Sequence, residues 1–76
     1  MGSFPMTKDV FYLHGERVYY RWGWLSDTEI SVQIRSYSSE IDTIIRAVLE
    51  RIKASLHVEQ TPQFLVAYVS RGVYAV

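Results

Sequence analysis

A small α+β domain is predicted by three features of this chain. One stretch carries hydrophobic residues at helical spacing, the stretches ahead of it alternate as strands do, and an almost unbroken apolar run follows it. The helical stretch, Ser39 to His57, organises the rest. Ile41, Ile44, Ile45, Val48, Leu49, Ile52 and Leu56 recur at steps of three and four and so share one side of a 3.6-residue helix. Asp42, Thr43, Arg46, Glu50, Arg51 and Lys53 occupy the opposite side, so one face must lie on something apolar while the other meets water.

Taken in order, Met1, Gly2 and Ser3 read as an appended expression sequence with Met6 as a candidate natural start, or residues 4–6 as a native unstructured lead. Residues 1–7 are therefore set aside, and residues 8–76 are read as one α+β domain. Asp9 to Leu13 is rich in strand-favouring side chains, and His14 with Gly15 offers a tight turn in which glycine takes positive φ. Glu16 to Trp24 alternates: Val18, Tyr20, Trp22 and Trp24 point to a core, and Arg17, Tyr19, Arg21 and Gly23 point away. Gly23, between two tryptophans, is a candidate bulge or a place where another group comes close to the backbone. After the polar turn of Ser26, Asp27 and Thr28, a third strand sends Ile30, Val32 and Ile34 inward and Ser31, Gln33 and Arg35 outward.

Ser38 or Ser39 is the expected N-cap of the helix, with Asp42 in a capping-box position relative to Ser39. Glu40 and Asp42 near its start, and Arg51, Lys53 and His57 toward its end, agree with the helix dipole. Thr61 and Pro62 end the following connection, and Phe64 to Ser70 reads as a strand covered on both faces or lying centrally. Arg71 and Gly72 then lead to Val73–Val76, a candidate short fifth strand or a segment that docks on another subunit. The expected order is an antiparallel three-stranded meander, one amphipathic helix on one sheet face, and a C-terminal strand: β-β-β-α-β.

A chain of 76 residues without cysteine has no disulfide or thiolate cluster to supplement its core. It buries only about 60% of the surface that its unfolded form exposes. Hydrophobic residues make up 49% and aromatic ones 14%, a heavy aromatic load for so little interior, which points to association with another chain. Eight basic residues balance eight acidic ones and the pI is near 6.7, so no bulk field draws the protein to nucleic acid or anionic lipid. No apolar run is long enough to span a bilayer and the first residues do not form a secretory signal, so the expected location is cytoplasmic.

The two histidines, His14 and His57, fall at a turn and a helix end without a neighbouring triad or zinc spacing. No phosphate-binding or dinucleotide glycine motif is present, so no enzyme, cofactor or metal is expected. Asp27 with Glu29, and Glu40 with Asp42, have simpler roles in a turn and a helix start. Because one helix covers one sheet face, the face bearing Arg17, Tyr19, Arg21 and Arg35 is the expected partner-binding surface. Tyr68, Tyr74 and Val76 are the expected edge or oligomer contacts. Tyrosine, tryptophan and arginine anchor protein interfaces, so a protein partner and a homo-oligomer are expected, with the chain acting as an inhibitor, adaptor or small subunit. The alternative is a single-stranded nucleic-acid binder using the same arginine and tyrosine face.

Overall fold

A computed structural model describes residues 6–70. Strands β1 (Thr7–Leu13), β2 (Glu16–Trp24) and β3 (Glu29–Ser36) form an antiparallel meander. Helix α1 (Ile41–Ser55) then crosses the sheet, and β4 (Gln63–Ser70) returns parallel to β3, giving the order β1-β2-β3-β4. Parallel neighbours need such a crossover, and α1 supplies it. The fold is the expected α+β arrangement. Its first strand begins at Thr7, inside the segment set aside from the sequence, because Thr7 pairs with Trp22.

The core lies between α1 and one sheet face. Val18 and Tyr20 of β2, Ile30, Val32 and Ile34 of β3, and Ile44, Val48 and Ile52 of α1 are buried. Trp22, Trp24, Phe11, Leu13, Leu49, Phe64, Val66 and Tyr68 close its margins as partly buried packing. The β1–β2 turn is a two-residue loop in which His14 (φ 53°) and Gly15 (φ 79°) both take positive φ, the signature of the type I′ hairpin.

Four local expectations are corrected. Gly23 sits in regular register opposite Ser31, so β2 carries no bulge there. Neither Ser38 nor Ser39 caps α1: Glu40 holds the cap position without a side-chain cap bond, and Ser38 Oγ accepts from the Glu40 amide at 3.0 Å. The helix ends at Ser55, so His57 lies beyond it and Lys53 is the basic residue of its last turn. Finally, β4 has β3 as its one strand neighbour among the described residues, and its outward side chains Leu65 and Ala67 are exposed. Among the described residues it is an edge strand, not a central one; its continuous apolarity reflects a helix-covered face combined with an apolar open face. The proposed fifth strand, with Tyr74 and Val76, lies outside the described residues.

Two side-chain clamps hold the helix on the sheet. Arg51 donates to the Tyr20 hydroxyl at 3.3 Å and to Asp9 at 3.2 Å, and its guanidinium lies 4.6 Å from the Phe11 ring centroid. At the other flank the Tyr68 hydroxyl donates to the Ser38 carbonyl at 3.2 Å. Tyr68, expected at an edge contact, therefore has its hydroxyl engaged within the chain beneath the β3–α1 connection.

Candidate binding face

Strand alternation places the inward residues of β2 and β3 under α1 and leaves their neighbours on a sheet face that no described element covers. Register then assembles this face across all four strands. One row runs Val10, Tyr19, Arg35, Val69; the next runs Lys8, Arg21, Gln33, Ala67. Tyr12 stands opposite Arg17 at one end, and Leu65 stands beside Ser31 and Gly23 toward the other. Arg17, Tyr19, Arg21 and Arg35 thus share one surface. Sequence reasoning missed Lys8, Val10, Tyr12 and Leu65 because their place on it depends on strand pairing. The i, i+2 alternation of Lys8, Val10 and Tyr12 was the available signal.

The arginine side chains on this face are held, not loose. Arg17 donates to the Tyr19 hydroxyl at 2.8 Å, and its guanidinium lies 5.8 Å from the Tyr12 ring centroid and 5.9 Å from that of Tyr19. Arg35 approaches the same Tyr19 ring to 5.1 Å. Arg21 Nε donates to the Gln33 side-chain carbonyl. Cation–π contacts of this kind contribute about 0.5–1 kcal/mol at exposed sites and restrict the guanidinium planes. The Tyr19 hydroxyl, followed by the Tyr12 hydroxyl, raises the Arg17 pKa further, so that side chain is cationic at every accessible pH. A planar fork already fixed in direction is suited to carboxylate or phosphate oxygens.

Charge is segregated although the chain is neutral overall. Lys8, Arg17, Arg21 and Arg35 share the open face, and its rows contain no carboxylate. Asp9 and Glu16 belong to the helix-covered side; Glu40, Asp42 and Glu50 lie on or before α1; Asp27 and Glu59 are in connections. Glu29 has the outward parity but sits at the far end of β3, about 20 Å along the strand from Arg35, where Ser26 Oγ donates to it. Compared with known protein families, with curated proteins and with solved structures, the chain matches none. The geometry alone carries the functional reading.

The remaining titratable groups do not converge. His14 Nδ1 lies 3.6 Å from Glu40 Oε1 with both side chains more than half exposed, and His57 is exposed past the helix end. Among the described residues no three His, Asp or Glu side chains gather closely enough to hold a metal ion. No helix among them is long and apolar enough to cross a membrane.

Proposed function

We propose that this chain is a small non-enzymatic, cytoplasmic binding protein whose open sheet face captures an acidic protein segment, so that it acts as an inhibitor, adaptor or small subunit. The observation that carries the reading is the composition of that face. Lys8, Arg17, Arg21 and Arg35, without a carboxylate among them, share that face with apolar Val10, Leu65, Ala67 and Val69. A segment carrying both carboxylates and aliphatic side chains satisfies both halves: charge pairs fix its position, and apolar burial supplies affinity.

A second reading has its own support. Tyr12 and Tyr37 expose 65% and 59% of their surface and border one depression with Arg17, Tyr19 and Arg35. Rings beside guanidinium groups are also the means by which single-stranded nucleic acid is held. Titrating the protein with a synthetic peptide alternating glutamate and leucine, and separately with oligo-dT, at low and high salt decides between them. The peptide is expected to bind, and Tyr19→Ala combined with Arg21→Ala to weaken it by about tenfold or more, the hot-spot range, while circular dichroism stays unchanged. Binding of oligo-dT alone, with a steep salt dependence, would transfer the face to nucleic acid. Binding of neither probe would remove the proposal.

A further inference from the structure

Two surfaces outside the open sheet face lie side by side: the outer flank of α1 and the edge of β4 that no described strand pairs. At 100° per residue, Arg51 falls on one side of the buried line Ile44, Val48 and Ile52, and Ile45 and Leu49 fall on the other. Arg51 reaches Asp9 on β1, so Ile45 and Leu49 lean toward β4 at the opposite end of the sheet. Both are only partly buried, and they line a shallow groove with Asp42, Arg46, Glu50 and Lys53. Beside them β4 runs from Gln63 to Ser70 without a charged residue, a proline or a break in register. Among the described residues its outer edge pairs with no strand. Proteins usually blunt such an edge with lysine, proline or a bulge, and β4 has none of these.

The order of charges on α1 selects a second copy of the same chain as the occupant. Asp42, Arg46, Glu50 and Lys53 alternate in sign from the N-terminal to the C-terminal end of the helix. A two-fold axis runs the helix antiparallel to its copy, which sets Asp42 toward Lys53 of the second copy, both on the Ile45 and Leu49 side of the helix. The pairing centres on residues 47–48, and the axis repeats it twice. The open sheet face has the opposite character, because two copies meeting there would oppose cation to cation.

We propose that the chain forms a two-fold dimer in which the β4 strands pair antiparallel into one continuous sheet and the α1 helices exchange charge above the seam. Strands stand about 4.8 Å apart, and α1 packs between β2 and β4, so the two helix axes lie roughly 14 Å apart. Lysine and aspartate side chains reach into that gap, and Ile45 and Leu49 roof the seam together with Val66. Within one copy Lys53 is 3.7 Å from Glu50, but both are well exposed, and such a pair resists rearrangement little. On the other side of the joined sheet, Leu65, Ala67 and Val69 of both copies form one apolar centre flanked by the arginines.

Sedimentation velocity over a concentration series tests the dimer with Asp42→Lys, Lys53→Asp and the two combined. The unaltered chain is expected to dimerise. Each single reversal should weaken the dimer by about tenfold or more, because symmetry repeats the like-charge clash twice, and the combined variant should recover it. Circular dichroism on every variant separates loss of association from loss of fold. Amide exchange gives an independent reading: protection along Phe64–Val69 should rise with protein concentration. A chain that stays monomeric into the submillimolar range, a dimer indifferent to the single reversals, a double variant as weak as the singles, or concentration-independent protection of β4 would overturn the proposal.

Discussion

Asp9 shows how a single side chain joins parts of the chain that are distant in sequence. Its carboxylate accepts from the Val10 amide at 2.7 Å, from the Tyr20 hydroxyl at 3.0 Å and from Arg51 at 3.2 Å. The Val10 amide is the largest influence, followed by Tyr20 and Arg51, and together they hold its carboxyl below the ordinary value of 3.8. A carboxylate with a depressed folded-state pKa contributes stability that is intact above the unfolded value. That contribution is lost as pH falls through the folded one. Urea unfolding of the unaltered chain should therefore weaken as pH drops below about 4, and Asp9→Asn should flatten that acid limb while lowering stability at neutral pH. Superimposable pH profiles would show that the clamp contributes nothing. Tyr20 shifts the other way: burial raises its phenol pKa first, with Arg51 partly offsetting the effect. Arg51 looked like one more solvated charge in the sequence, since nothing local ties it to a strand 42 residues away.

At the scale of elements, the β1–β2 hairpin is the best-determined piece. Gly15 has φ of 79°, and open space surrounds the position that a Cβ would take there, so a side chain would meet backbone strain and no clash. Gly15→Ala should destabilise the fold by about 1 kcal/mol, the scale of left-handed strain for a residue with a Cβ. His14→Asn at φ 53° should be neutral or slightly stabilising, since asparagine tolerates that region well. Thermal melts of both variants check the pair, and equal effects would deny the turn its geometry. The helix was legible from its stripe of isoleucines and leucines, but its ends were not. The start depends on Ser36 Oγ accepting the Ser38 amide and Ser38 Oγ accepting the Glu40 amide, which places serine chemistry ahead of the cap. For β4, an apolar run identified a strand but could not say that one of its faces lay open.

At the scale of the whole molecule, the core is one layer of branched side chains between a helix and a sheet, with Ile44, Val48 and Ile52 closing on Val18, Ile30, Val32 and Ile34. Domains have roughly 0.05–0.15 kcal/mol of stability per residue, so a chain of this length has only a few to about ten kcal/mol in total. Ile44 is fully buried, and Ile44→Ala should cost about 2–5 kcal/mol while Ile44→Val costs about 1. Chemical denaturation should therefore show the first variant largely unfolded or severely weakened and the second folded. Similar, small losses for both would mean that α1 docks loosely. Thin stability also gives the proposed dimer a physical role, because joining two sheets removes an exposed edge that neither copy can cover from its described residues.

The sequence by itself determined the element types, the inward sets of β2 and β3, the buried line of Ile44, Val48 and Ile52 on α1 though not the exposure of Ile41 in the same stripe, the hairpin turn, and the common face of Arg17, Tyr19, Arg21 and Arg35. Each of these follows from a local period or a local backbone preference. Only the tertiary structure decided that β4 lies parallel to β3 at the sheet edge and that Lys8, Val10, Tyr12 and Leu65 join the open face. It also decided that Arg51 closes on Asp9 and Tyr20, and that Lys8, Arg17, Arg21 and Arg35 gather on the open sheet face while Arg46, Arg51 and Lys53 stay on α1. These depend on pairing between strands and on a helix crossing a sheet, and side-chain spacing within one segment holds no record of which other segment it will meet.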